Sequence, residues 1–349
     1  MVSRLFESLA FQQWPDFVRL GLANVWHRSV EHGPQARPSI FAPASTPAQS
    51  ILGLSFFVLA ITGGIFLVVG GTLTYVIFRY RQKKNDTQEP AQIYGSTQVE
   101  IAWTVVPILI VVVLFLTTAR MIFAIQDAVR PKSALSVTVV GHQFWWEFNY
   151  TDLGIHAVNE LHVPLSSASE AKPTFLKLLS ADVMHSFWVP QLGGKTDLIP
   201  NHENSMWIDP LKPGMYVGQC AQFCGVEHAK MLIRVYVQTP DDFEKWVKNQ
   251  QLPAVEDPAV AEGRRAYESQ ACVNCHTIRG TNSKGRFGPD LTHLMSRDTI
   301  AAGAALNTRE NLRAWIQDPD TFKRGSLMPS MHLTDEQLDQ ITAYLSTLK

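Results

Sequence analysis

Cys220-Ala-Gln-Phe-Cys224-Gly-Val-Glu-His228-Ala-Lys-Met231 puts two thiols, an imidazole and a thioether on one short stretch, spaced C-x3-C-x3-H-x2-M. Soft sulfur combined with imidazole selects copper over hard cations. A single blue-copper site needs one thiolate; two thiolates can bridge two coppers, and then a second histidine is required from elsewhere. His185, in Asp182-Val-Met-His185-Ser-Phe-Trp-Val-Pro190, is the natural candidate. The competing reading is a Cys220–Cys224 disulfide, which an oxidising compartment permits. It leaves the spacing of His228 and Met231 unexplained.

The sequence around this motif has the texture of strands. Residues 136–150 (SVTVVGHQFWWEFNY) are rich in β-branched and aromatic side chains, as are 174–179, 205–208, 215–219 and 231–237. Turn signals such as Leu192-Gly-Gly-Lys195 and Lys212-Pro-Gly214 separate them. Several short strands punctuated in this way predict an all-β sandwich or barrel.

Beyond residue 237 the pattern becomes helical. Residues 241–250 read as a connecting helix, and 252–258, with two prolines and two acids, as a linker. The remaining ninety or so residues form a separate, mostly helical domain. It opens with Cys272-Val-Asn-Cys275-His276, the C-x-x-C-H signature of covalent haem attachment. Two thiols three positions apart meet the two vinyl groups of the haem, and the next side chain reaches the iron. A zinc site would need a further cysteine pair, and none follows. Helices predicted over 260–271 and 335–348, the latter with Leu338, Ile341 and Leu345 on one face, frame the motif. His/Met ligation suits electron transfer and raises the potential. Met328, directly before Pro329, is therefore the expected sixth ligand, with Met331 as the runner-up and Met295 assigned to core packing. Gly288-Pro-Asp-Leu291 resembles the cytochrome c loop whose proline carbonyl orients the ligating histidine.

Upstream of the strands lie two uncharged runs, residues 51–78 and 101–119. The first is long enough to cross roughly 30 Å of hydrocarbon with some tilt, and the second is about the minimum. Both are apolar all round, whereas core helices normally keep a polar stripe. Gly63, Gly64, Gly70, Gly71 and Pro107 are tolerated in lipid. Arg79, Arg81, Lys83 and Lys84 in the connector favour the cytoplasmic side, which puts everything after about residue 120 outside. Leu5, Leu9, Trp14 and Phe17 suggest an amphipathic surface helix in a stretch with no clean signal-peptide core. Across all 349 residues the net charge is −1, which gives no footprint for nucleic acid.

On these motifs the sequence resembles cytochrome c oxidase subunit II over residues 40–246, fused to a class I cytochrome c over residues 258–349. The resemblance implies a multidomain membrane protein. An N-terminal segment (1–49) precedes a two-helix transmembrane hairpin (50–122). An all-β cupredoxin-like dicopper domain (123–240), a linker (241–257) and an all-α cytochrome c domain (258–349) follow. The family's binuclear copper (CuA) motif matches His185, Cys220, Cys224, His228 and Met231, plus the backbone carbonyl of Gln222. Haem c would be held by Cys272, Cys275, His276 and Met328. Glu100, in Gln98-Val-Glu-Ile-Ala-Trp103, is similar to the residue at the mouth of a proton channel in subunit I; without the resemblance it reads as a solvated acid at a helix start. Trp145 and Trp146 are left for packing or electron coupling.

Two positions depart from the family pattern. Gln222 stands where a glutamate usually helps bind magnesium, so that site is not carried over through this side chain. Phe144 stands where a tryptophan is thought to form the landing surface for a soluble cytochrome. The resemblance implies an oxidase subunit in a bacterial plasma membrane, with both redox domains on the periplasmic side. It would take electrons from a cytochrome or respiratory complex, pass them to subunit I and assemble with subunit III as well. There, oxygen is reduced to water with proton pumping. A copper-free quinol oxidase subunit II is disfavoured by the intact ligand set, and a free electron carrier or copper-delivery protein by Glu100.

Overall fold

The structure is a computed structural model that describes residues 38–82, 89, 92, 94–132, 134–167 and 171–349. The expected surface helix near Leu5–Phe17, and Lys83 and Lys84, lie outside the described residues.

Two long helices open the described chain, α1 (Thr46–Arg79) and α2 (Thr97–Gln126). At the usual rise they run roughly 50 and 45 Å, longer than the uncharged runs that nucleate them. The Ser45 side chain caps α1 by accepting the Ala48 N–H, and Pro47 sits in the first turn, where its missing donor costs nothing. Their apolar side chains are exposed, Phe66 at 73% and Phe115 at 68%, as befits a lipid-facing surface. The outer ends of both helices are fixed to the β domain. Trp207 Nε1 donates to the Ile125 carbonyl at 2.6 Å, and the Thr46 N–H donates to Asp209 O at 3.2 Å. Both ends of the hairpin therefore lie on the side of the β domain, and Arg79 and Arg81 on the opposite side.

The β domain is a sandwich of two five-stranded sheets. One has the order β3-β2-β1-β5-β8, from β1 (Leu135–His142), β2 (Trp145–Tyr150), β3 (Ile155–Val158), β5 (Thr174–Ser180) and β8 (Asn204–Ile208). The other has the order β4-β10-β9-β6-β7, from β4 (Glu160–Pro164), β6 (His185–Trp188), β7 (Thr196–Leu198), β9 (Gly214–Cys220) and β10 (Leu232–Gln238). Alternation sets the core: Trp146, Phe148 and Tyr150 turn inward along β2 and meet Phe187, with Trp146 and Phe187 edge to face at 5.8 Å. The run 136–150 is a hairpin rather than one strand, because His142 pairs with Trp145 and leaves Gln143 and Phe144 at the tip. The strands that the sequence pattern passed over, β3, β4, β6 and β7, are three to five residues long, too short to show alternation.

The connecting helix expected over residues 241–250 forms. Helix α3 (Pro240–Gln251), capped by the Thr239 side chain, lays Trp246 against Tyr150 and stacks it on His162 at 4.4 Å. The C-terminal unit follows with α4 (Ala261–Glu268), a short α5 (Cys272–Cys275), a two-stranded ribbon β11 (Thr299–Ile300) and β12 (Ala305–Leu306), α6 (Arg309–Gln317) and α7 (Asp335–Leu345). Helices α4 and α7 cross at Gly263, where a Cβ would lie 2.1 Å from the Gln340 carbonyl oxygen; only glycine allows that approach. The residues expected on one face of α7, Leu338, Ile341 and Leu345, are buried with Tyr267, Leu312 and Ile316.

The two redox domains are joined by buried polar contacts. The Glu160 carboxylate, 3% exposed on β4, accepts the N–H groups of Asp298 (2.9 Å) and Thr299 (3.2 Å). Arg234, its neighbour across the β4–β10 pairing, donates to the Thr299 hydroxyl at 2.8 Å.

Candidate metal and haem centres

The copper candidates converge from three places in the second sheet. His185 begins β6, Cys220 ends β9, and Cys224, His228 and Met231 lie in the turn that leads into β10. Cys220 Sγ stands 3.9 Å from Cys224 Sγ and 3.9 Å from His185 Nδ1. Cys224 Sγ is 3.6 Å from His228 Nδ1 and 3.9 Å from Met231 Sδ, and Cys220 Sγ lies 3.2 Å from the Gln222 carbonyl. A disulfide needs its sulfurs about 2.05 Å apart, so the alternative pairing is not formed and both thiols are free. Sulfur and nitrogen donors bond a metal at about 2.0–2.3 Å; donors 3.6–3.9 Å apart can therefore share an ion between them. Two thiols, two imidazole nitrogens, a thioether and a carbonyl thus fit a pair of coppers.

Among the donors, the surroundings move Cys220 toward its ligand form and leave Cys224 and His185 to be deprotonated by the metal. A hydrogen bond with the Cys224 thiol, opposed by burial and aided by His185, pulls the Cys220 thiol well below its usual value. Cys224, facing that thiolate, is pushed up. A copper ion would deprotonate it outright, as metals do with coordinating thiols. Burial works to lower the His185 pKa, but Asp182 and Cys220 outweigh it and raise it. The cause is geometric: Asp182 Oδ1 takes His185 Nε2 at 2.8 Å, which leaves Nδ1 facing the sulfurs. Burial acts to raise Asp182, yet the His185 contact and the N–H groups of Gln143 and Val183 hold it low. The sequence motif contained Asp182 three residues before His185, but only the fold shows that it orients the ring.

The haem candidates line one apolar cavity. Cys272, Cys275, His276, Met328 and Met331 all face it, while Met295 packs on the core. His276 Nδ1 lies 2.7 Å from the Pro289 carbonyl, the contact expected of the Gly288-Pro289 loop. That bond fixes the Nδ1–H tautomer and turns Nε2 toward the cavity. Burial, offset by this bond, lowers the His276 pKa and keeps the ring neutral, the form that ligates iron. Gly288 is required here, because a Cβ would come within 2.7 Å of the His276 ring. An apolar cleft with two thiols, a neutral imidazole and a thioether fits a haem c.

The cavity wall is not built by the helical domain alone. Gln143, Phe144, Trp145 and Asn159 of the β sandwich complete it. Phe144 is 8% exposed, with its ring edge against Gly225, the residue after Cys224. The Gln143 side chain donates to the Cys224 carbonyl at 2.6 Å. Trp145 stacks on His142 at 4.1 Å and faces the haem cavity, whereas the fully buried Trp146 stands edge-on to His185 at 6.0 Å. The β1–β2 tip thus touches the copper turn on one side and the haem cavity on the other. Nothing in the local sequence of Phe144 marks it as a shared wall. Glu100 is remote from both centres, exposed in the first turn of α2, where a carboxylate favours the helix dipole.

Profiles of three protein families match the chain. They are cytochrome c oxidase subunit II, transmembrane domain, over residues 35–121; its periplasmic domain over residues 168–238; and cytochrome c over residues 260–349. Cytochrome c oxidase subunit 2 of Alkalihalophilus pseudofirmus is 35% identical over 305 residues, covering 85% of each chain. The subunit 2 of Bacillus sp. strain PS3 is 35% identical over 289 residues, covering 77% of this chain and 79% of that one. A crystal structure of the periplasmic domain of subunit II from Bradyrhizobium japonicum is 31% identical over 35% of this chain and 96% of that chain, with a TM-score of 0.32.

Proposed function

The chain belongs to the cytochrome c oxidase subunit II family, in the form that ends in a cytochrome c domain, and from that premise we propose how its residues divide the work of electron transfer. It is a membrane-anchored protein with an extracytoplasmic domain, part of a haem–copper terminal oxidase beside subunit I, with CuA copper and haem c as its cofactors. When bound, the haem and the dicopper centre would supply one-electron redox chemistry between the donor and subunit I.

His185, Cys220, Cys224, His228, Met231 and the Gln222 carbonyl hold the two coppers. The β scaffold presets their positions, so little rearrangement accompanies a change of charge. Cys272 and Cys275 would anchor the haem, and His276 and Met328, the latter from the loop before α7, would be its iron ligands. Met331 shares the cavity wall, but Pro329 stiffens the chain directly after Met328. Trp145 and Trp146 carry electronic coupling, one facing the haem cavity and the other His185. Glu100 serves proton uptake by subunit I from the side of the basic connector. The membrane is a bacterial plasma membrane, subunit III joins the assembly, and the donor is a cytochrome or respiratory complex.

The dicopper centre is fed by the chain's own haem rather than directly by a soluble cytochrome. One observation carries this reading: Phe144, at the position of the family's landing tryptophan, is covered by the haem domain and forms a wall of its cavity. Met328→Ala tests it. The variant should lose most electron flow from soluble cytochrome c to oxygen while keeping its copper; flow at the intact rate would overturn both the internal route and the ligand assignment.

A further inference from the structure

The haem domain and the copper domain grip each other through two lysines. Lys230 lies between the candidate ligands His228 and Met231, and its Nζ donates to the Phe322 carbonyl of the haem domain at 2.7 Å. Lys323, the residue after Phe322, reaches back: its Nζ donates to the Phe144 carbonyl of the copper domain, also at 2.7 Å. Each domain thus contributes one ammonium and receives one on a main-chain oxygen.

The two lysines are held differently. Glu227, almost fully buried, sits 3.3 Å from Lys230 Nζ and aims it across the interface. Lys323 is 3% exposed and, among the described residues, forms no ion pair within 4 Å. Burial drives its pKa down to about 7, with Lys230 nearby adding to the effect and Glu227 opposing it. An ammonium buried without a counter-ion is costly, and the best-attested role of such groups is to fix register between packed elements. Between the two bonds the domains pack closely: a Cβ at Gly325 would meet the Val226 side chain at 3.3 Å.

The segments so joined matter. Residues 322–325 lead toward Met328, while residues 224–231 carry three of the copper donors, Cys224, His228 and Met231. The grip therefore ties the loop bearing the axial methionine to the turn bearing the copper ligands. We propose that Lys230 and Lys323 form a reciprocal clasp that sets the docking of the haem cleft on the copper turn, so that both are positioning residues for transfer between the two centres. The clasp rests on the internal route proposed above. It is separate from the Glu160 and Arg234 contacts with residues 298–299, which hold the domains together when the clasp is opened.

The test uses the full chain with both cofactors. Lys230→Met, Lys323→Met and the double variant remove the donors while keeping most of the apolar stem, and Lys230→Arg restores a donor at the exposed position. After photoreduction of the haem, reduction of the dicopper band is followed, and amide hydrogen exchange over residues 324–328 is measured in parallel. The double variant should transfer on the order of ten- to a hundredfold more slowly, since small misplacements carry penalties of that size. Both absorption spectra and the copper count should stay unchanged, exchange over the strap should quicken, and Lys230→Arg should behave as the parent chain does. Transfer at the parent rate in the double variant, or slowing accompanied by loss of either spectrum, would overturn the clasp. If the parent chain itself shows no transfer from haem to copper, the internal route fails and takes the clasp with it.

Discussion

The copper turn and the haem cleft solve the same problem in opposite ways. The copper donors are assembled by strands whose register fixes them: His185 and Cys220 head and end neighbouring strands, and the donors stand 3.2–3.9 Å apart as the chain folds. The haem cleft is an apolar gap with ligands at its edges, and one wall belongs to the other domain. One site is closed by its own fold; the other is closed by docking. Perturbing the first should therefore act locally, and perturbing the second should act through the interface.

The largest separation between the two comes from Cys220→Ser. It should abolish the mixed-valence dicopper spectrum and lower the copper count while the haem c band persists, because the covalent anchors lie in a separate core. A normal copper count would break the assignment. Glu160 probes the docking instead. Burial, reinforced by Asp298 and opposed by Arg297 and Arg234, raises its carboxyl to about 7 from the usual 4.5. The folded form then holds its proton more tightly than the unfolded chain does. Stability from this group is full below about pH 4.5 and falls as pH rises through 7, by on the order of 3 kcal/mol. Glu160→Gln keeps an oxygen acceptor for the Asp298 and Thr299 amides and should flatten that slope, read as hydrogen exchange at those amides against pH. A slope unchanged in the variant would locate the titration elsewhere.

Asp182→Asn returns to the copper side. With the carboxylate gone, His185 loses the partner that orients its ring, and copper affinity should fall about 10–100-fold with the haem untouched. Undiminished affinity would show that the strand alone holds the histidine. Glu100→Ala should slow oxygen turnover several-fold, less than the roughly 10²–10⁴ that a general acid or base contributes to a chemical step, and leave both centres intact; full turnover would discard its role in proton uptake. Phe144→Trp should change least, because the position is already covered by the haem domain. A marked gain in direct reduction by soluble cytochrome c would mean that the wall is open in solution.

What the sequence displayed follows the same division. The copper and haem motifs were legible because contiguous spacing places donors together whatever the rest of the chain does, and the proline loop could be anticipated from Gly288-Pro289. Strands β3, β4, β6 and β7 were not, since so few positions show no period. Asp182 was in plain view beside His185 yet silent, because orientation of a ring depends on the backbone between them. Gln143, Phe144, Asn159 and Lys323 were hidden for another reason. They act across as many as 179 residues of chain, and a contact of that kind leaves no local pattern. Trp246, in the connecting helix, packs on Tyr150 and His162 of the sandwich, a contact that its local sequence does not announce.

The claim that joins both regions is that electrons move between them inside one chain. The measurement is photoreduction of the haem in the full chain, with the near-infrared dicopper band followed as the protein is diluted. Haem reoxidation and dicopper reduction should proceed together, at a rate independent of concentration and without added cytochrome c. A rate that falls in proportion to dilution, or copper reduction only when soluble cytochrome c is supplied, would contradict the account.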